Sequence, residues 1–150
     1  MMKFFVMLLL LIFPFPILAE TNHSEPVPGN ALPNGLYAFE TSSGMRVGAV
    51  FGVLPRLMDA DDLVSVISPV SSQIEIHEMK DVDGIMKMRK VDFIPLQKQK
   101  ENILLPTGYH LMLMNLKSPL QEGTEFPMTL VFRKASSVTV TVPVLGRGVN

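Results

Sequence analysis

Residues 73–90 read QIEIHEMKDVDGIMKMRK and contain two short segments joined by a polar turn. In both segments side chains of different polarity alternate, which is the two-residue period of a β-strand with one buried face. The four residues between them, Asp81-Val82-Asp83-Gly84, are typical of a tight turn. The stretch therefore predicts a β-hairpin near the middle of the chain.

The same strand signals recur on both sides of this hairpin. Further strands are predicted over residues 45–54, 63–67, 102–105, 109–117, 125–133 and 136–144. The last of these alternates valine with threonine, as a half-buried strand does. An acidic turn is expected at Asp59–Asp62, which lacks the spacing of a calcium loop. Short strands separated by Gly and Pro turns predict an all-β antiparallel sandwich or barrel.

The composition excludes several classes of function. The chain has 150 residues, enough for one domain, with 13 basic and 14 acidic side chains and no basic stripe. Nucleic acid is therefore not an expected partner. There is no cysteine, which removes thiolate metal sites, cysteine nucleophiles and disulfides. No phosphate loop or nucleophile elbow is present, so an enzyme is not expected.

The N-terminal region has the features of a secretory signal peptide. Residues 1–19 begin with a basic side chain, Lys3, continue with a short apolar run and end on the small residue Ala19. Cleavage after Ala19 is expected; the alternative is an uncleaved anchor, for which the proline-interrupted run is short. No cysteine follows, which excludes a cysteine-linked lipid anchor. Residues 20–35 are predicted to be a flexible linker and residues 36–146 the folded domain.

Histidine and methionine gather on the predicted strands. Alternation places His77 on one face with Met79, and His110 on one face with Met112 and Met114; Met86 and Met88 share a face of the next strand. Thioether and imidazole donors without thiolate or carboxylate suit Cu(I) better than Zn²⁺, Mg²⁺ or Ca²⁺. The alternative is that these methionines fill the core or form a docking face.

Two neighbours of the histidines point to the other face of their strands. Glu78 is expected to be solvated there, and Tyr109 is expected to pack in the core.

A copper oxidase is disfavoured because thioethers stabilise Cu(I) against redox cycling. A blue-copper centre is excluded because it needs a cysteine thiolate.

The spacing of four of these residues matches a known signature. His77, Met88, His110 and Met112 fit the pattern H-x10-M-x21-H-x-M. In this the chain resembles the PCu(A)C-type periplasmic copper chaperones. The surrounding segments SPVSSQIEIHEM, GIMKMRKVD and PTGYHLMLMNLKSPLQEGTEFPMTLVF agree, and the resemblance covers about residues 45–144.

The resemblance implies a cupredoxin-like Greek-key β-barrel or sandwich. It implies that His77, Met88, His110 and Met112 bind one Cu(I) ion, with Met86 and Met114 left open as alternative donors. The expected role is a monomeric periplasmic carrier that delivers copper to the dinuclear site of cytochrome c oxidase subunit II, alone or with a Sco-type protein. A copper-buffering or resistance protein, or a β-sandwich interaction module, is the alternative. No second copper site is expected, because the segment after the last strand lacks His and Met.

Overall fold

The computed structural model describes residues 33–148, and every regular element in that range is a β-strand. The predicted signal peptide (1–19) and most of the predicted linker (20–35) lie outside the described residues. No helix in the described range is long and apolar enough to cross a membrane. The ten strands are β1 (Leu36–Phe39), β2 (Val47–Val53), β3 (Asp61–Ile67), β4 (Ser71–Val82), β5 (Ile85–Val91), β6 (Ile94–Leu96), β7 (Ile103–Leu104), β8 (Tyr109–Leu116), β9 (Glu125–Phe132) and β10 (Val138–Leu145).

The strands are joined in the order β5-β4-β8-β2-β1-β10-β9-β3-β6, with β7 on β2. Several neighbours are far apart in sequence, such as β4 with β8 and β3 with β9, as in Greek-key connections. The pairs are antiparallel except β1 with β10, which are parallel. The path ends at the edge strands β5 and β6, so the described strands form an open arrangement and not a closed barrel.

One hydrophobic core lies between the two halves of this path. Val50, Leu111 and Leu113 of β2 and β8 contribute from one half, and Leu63 and Leu130 of β3 and β9 from the other. All five are fully buried. Because successive side chains of a strand point to opposite faces, β4 and β8 have a second face that turns away from this core and is free to carry other chemistry.

The β4–β5 hairpin forms as its sequence predicts. Val82 pairs with Ile85, and the two residues between them, Asp83 and Gly84, have φ angles of 56° and 79°. Positive φ at both central positions is the mark of the hairpin turn that suits twisted strands. The backbone N–H of Gly84 also donates to the carboxylate of Asp81 at 2.8 Å. The turn thereby fixes which residues of β4 and β5 face each other.

The predicted acidic turn at Asp59–Asp62 is wrong for its second half, because Asp61 and Asp62 begin β3. The Asp61 carboxylate accepts the backbone N–H groups of Asp62, Lys134 and Ala135 at 2.8–3.1 Å. Burial raises the pKa of Asp61, but these donors favour the charged form more strongly and hold the pKa below its usual value. Asp61 is therefore a residue of β3, and its carboxylate ties that strand to the segment after β9. That segment is distant in sequence, so the turn pattern alone could not reveal the contact.

Candidate metal centre

His77 and His110 lie side by side on the face of the sheet that points away from the core. They are directly paired residues of β4 and β8, and their ring centroids are 5.9 Å apart. The ring of Phe51 on β2 lies on the other side of His110, with its centroid 6.1 Å away. His110 is therefore enclosed between two rings and is only 4% exposed. Alternation along β2 could have pointed to Phe51, but its contact with His110 depends on the strand order.

The hydrogen bonding of His110 leaves one ring nitrogen free. Nδ1 donates to the carbonyl oxygen of Gly108 at 3.1 Å, since a carbonyl can only accept. The proton therefore sits on Nδ1, and Nε2 keeps its lone pair. Burial lowers the pKa of His110 and outweighs the hydrogen bond to Gly108, which raises it; the neighbouring His77 lowers it further. The neutral form of the ring is therefore favoured. A neutral imidazole with a free lone pair is the metal-binding form.

The free nitrogen of His110 faces the thioether of Met88. Nε2 lies 3.3 Å from the Met88 sulfur. With the single ring proton on Nδ1, beside the Gly108 carbonyl, both of these atoms have a lone pair to give to an ion. A nitrogen and a sulfur that bind one ion at about 2.0–2.3 Å lie roughly 3.1–3.6 Å apart at bond angles near 90–110°. The observed distance fits two donors of one coordination sphere. Met88 is 53% exposed, so this pair joins a buried donor to a solvent-accessible one.

The second histidine is also oriented by a hydrogen bond. His77 Nε2 lies 2.9 Å from a carboxylate oxygen of Glu75. The pKa of Glu75 is held below its usual value by this contact and by the ammonium group of Lys90. His77 Nδ1 is buried and has no hydrogen-bond partner among the described residues. A buried polar nitrogen without a partner is costly unless something binds it.

The strand register sorts the methionines around the histidine pair. Met112 pairs with Glu75, one same-face position from the histidines on one side, and Met88 pairs with Met79, one such position on the other side. One position is about 6.6 Å along a strand. Met86 and Met114 lie one position farther out, on opposite sides. Met88 and Met112 thus flank the histidines directly, and Met79 is the nearest alternative sulfur.

Glu78 and Tyr109 lie on the opposite face, as the alternation predicts. Tyr109 packs against the core, as expected. The expectation that Glu78 is solvated is wrong: its side chain is 19% exposed and accepts Arg89 Nη2 at 2.7 Å. Arg89 is its cross-strand neighbour on β5, a pairing that only the register reveals. Burial and the charge of Glu78 raise the pKa of Tyr109. Neither side chain can reach an ion on the histidine face.

The donor set on the histidine face restricts the ion it can hold. Among residues 33–148 there is no group of three or more His, Cys, Asp or Glu side chains placed to bind a metal. The Glu75 carboxylate lies on this face, but His77 and Lys90 already engage its two oxygens. The donors left free are two imidazole nitrogens and the neighbouring thioethers. Such a set is poorly suited to hard divalent ions, which need oxygen donors, and well suited to a soft monovalent ion such as Cu(I).

Comparison with other sequences identifies relatives across most of the chain. The family described as "Putative lipoprotein LpqE-like" matches residues 31–144. A protein of Leifsonia xyli subsp. xyli, named as a putative lipoprotein, is 31% identical over 71% of this chain and 66% of its own length. An uncharacterized protein of Rickettsia prowazekii is 35% identical over 55% of this chain and 46% of its own. The chain thus spans about two thirds and about half of these relatives.

Solved structures share the fold. The apo PCuAC domain from PmoF1 superposes with a TM-score of 0.61 at 20% identity, over 75% of this chain and 91% of that domain. The copper-bound PCuAC domain from PmoF2 gives 0.60 at 20% identity, over 78% and 97%. Cu(I)-DR1885 from Deinococcus radiodurans gives 0.62 at 22% identity, over 81% and 85%. These likenesses confirm the predicted cupredoxin-like all-β fold and its resemblance to PCu(A)C domains.

Proposed function

This chain belongs to the LpqE-like family. We propose that its β-domain carries one Cu(I) ion and is not an enzyme. The observation that carries the proposal is the position of His110 Nε2, 3.3 Å from the Met88 sulfur. Two proteins with the same fold support it, since the structures of PmoF2 and DR1885 contain copper.

The proposed ligands are His77, Met88, His110 and Met112. All four are neutral donors, so the loaded site carries only the charge of the cuprous ion, which a partly buried position can tolerate. The register supports this set because Met88 and Met112 are next to the histidine pair on either side. The exposure of Met88 suits a carrier, since an acceptor can displace an accessible thioether before it reaches the buried nitrogen.

A Cu(I) titration tests this proposal. Under reducing conditions, competition with a chromophoric Cu(I) chelator is expected to show one ion per domain. Met88→Leu keeps the size and removes the sulfur, so Cu(I) affinity should fall at least about 10-fold, because even outer partners of metal ligands contribute that much. Met58→Leu is the matched control. Met58 is 76% exposed and precedes β3, so this variant should bind Cu(I) with unchanged affinity. Equal affinity in both variants would favour the alternative of a Met-rich docking face.

We further propose that the protein works in the periplasm after cleavage of a signal peptide at residues 1–19. The name of its family, which refers to lipoproteins, and the order of charge and apolar residues at the N-terminus support export. The proposed acceptor is the dinuclear copper site of cytochrome c oxidase subunit II, reached directly or through a Sco-type protein. The carrier is proposed to act as a monomer.

Copper transfer separates delivery from storage. The Cu(I)-loaded domain is mixed with the apo copper domain of an oxidase subunit II, the two are separated by chromatography, and copper is measured in each. Delivery predicts that most of the copper moves to the acceptor within minutes, because thioether ligands exchange readily. Retention of copper by the carrier at equilibrium, with the acceptor still able to take up free Cu(I), would instead support a buffering or resistance role.

A further inference from the structure

Glu75 lies on the histidine face, but its carboxylate is fully occupied by other partners. One oxygen accepts from His77 Nε2 at 2.9 Å. The other accepts from Lys90 Nζ at 3.0 Å and from the side-chain amide of Gln73 at 2.7 Å. The carboxylate side chain is only 18% exposed. With both oxygens engaged and its charge balanced by Lys90, Glu75 is placed to hold a neighbour and not to bind the ion itself.

The contact with Glu75 decides which nitrogen of His77 is free. An ionised carboxylate can only accept hydrogen bonds, so when the His77 ring carries a single proton, as a metal-binding imidazole does, that proton sits on Nε2. Nδ1 then keeps its lone pair, and Nδ1 is the buried nitrogen that has no partner among the described residues. His110 has the reverse arrangement, with its proton on Nδ1 next to the Gly108 carbonyl and its lone pair on Nε2.

We propose that Glu75 is a positioning residue that holds the Nε2–H of His77 and thereby directs Nδ1 to copper. The inference rests on the proposed function, because it concerns the same ion. It follows that the two histidines bind Cu(I) through different ring nitrogens, Nδ1 of His77 and Nε2 of His110. A hydrogen-bonded carboxylate behind a ligating imidazole fixes the orientation of the ring and strengthens it as a donor.

Glu78 provides a matched control for this inference. Its side chain is 19% exposed, close to the 18% of Glu75, and it too accepts from a basic residue of β5, Arg89. It differs in pointing to the opposite face of β4, away from both histidines. Glu75→Leu and Glu78→Leu therefore remove equivalent hairpin ion pairs, but only the first removes a contact with His77.

The test combines Cu(I) affinity with nitrogen NMR of protein labelled with ¹⁵N-histidine. In the unchanged apo-protein, the Nε2 proton of His77 should exchange slowly; after Cu(I) loading, Nδ1 should show the coordination shift. Glu75→Leu should lose the slow exchange and bind Cu(I) about 10- to 100-fold more weakly. Glu78→Leu should keep both properties within about twofold. Glu75→Gln, whose amide oxygen can still accept the Nε2–H, should recover most of the affinity.

The possible failures can be told apart. If the unchanged protein binds no Cu(I), the proposed function fails and this inference fails with it. If the unchanged protein binds Cu(I) through Nε2 of His77, or if Glu75→Leu binds as tightly as Glu78→Leu, only the role of Glu75 is overturned. Should Glu75→Leu fail to fold, the coordinated nitrogen in the unchanged protein and the affinity of Glu75→Gln still decide the matter.

Discussion

A His110→Ala variant is expected to bind Cu(I) at least about 100-fold more weakly than the unchanged protein, a loss of about 2.7 kcal/mol in binding free energy. His110 is the buried donor of the pair it forms with Met88, and its ring lies between those of His77 and Phe51. Alanine removes the nitrogen and leaves His77 as the one imidazole beside the thioethers of this face. Competition with a chromophoric chelator under reducing conditions measures the change.

A folding check and one further variant make this result interpretable. Because His110 is 4% exposed, alanine also leaves a cavity, so a thermal melt must show that the variant is folded. Met114→Leu lies on the same strand and face but two positions from the histidine row, and it should change Cu(I) affinity by less than about twofold. A folded His110→Ala protein with unchanged affinity contradicts the assigned site. A large loss in Met114→Leu would instead move the sulfur ligand from Met112 to Met114.

The strands and the face that carries the candidate site could be predicted because both depend on local alternation. Residues 73–90 contain the turn and both strands of the hairpin, so their register needs no information from elsewhere in the chain. The same period placed His77 and His110 on faces rich in methionine. These two faces form one face of the sheet because β4 pairs with β8. The spacing of the four residues agrees with this pairing, but the pairing cannot be derived from the spacing.

The parts that could not be predicted depend on partners distant in sequence. Glu75 is two residues from His77 on the same face, a hint of contact, but its role needs Lys90 to occupy the other oxygen. The sequence predicts a turn at Asp61 because the partners of its carboxylate, the N–H groups of Lys134 and Ala135, are distant in sequence. The role of a polar side chain is therefore wrongly predicted where its hydrogen-bond partners are distant in sequence.

The first strand shows the same limit for apolar residues. β1 (Leu36–Phe39) has three buried residues in succession and so lacks the alternation that marks strands such as β4 and β8. It lies between β2 and β10, and its parallel pairing with β10 links the two halves of the strand path. A strand with neighbours on both sides and both faces covered reads as a short apolar run, which the period alone cannot assign.

Gly52→Ala is expected to destabilise the domain by about 3–5 kcal/mol, at the upper end of what one substitution does. Gly52 has a φ of +108°, and a Cβ there would lie 2.0 Å from the carbonyl oxygen of Gly35. That oxygen accepts the backbone N–H of Val53 at 3.0 Å, and Gly52 itself pairs with Leu36. Relief of the clash therefore requires β1 to move off β2, and the connection between the two halves weakens. Thermal unfolding should show a fall in Tm of roughly 10–20 °C.

Gly44→Ala separates the clash from the cost of the backbone angle. Gly44 also has a positive φ, +83°, but a Cβ there meets nothing within 4 Å. Its substitution should cost only the strain of a side chain at positive φ, about 1–2 kcal/mol. Equal losses in the two variants would mean that the approach of Gly35 to Gly52 is unimportant and that β1 is held mainly by β10. A much larger loss of stability in Gly52→Ala would mean that β1 is held mainly by its contact with β2. That contact also supports Phe51, the residue that packs against His110.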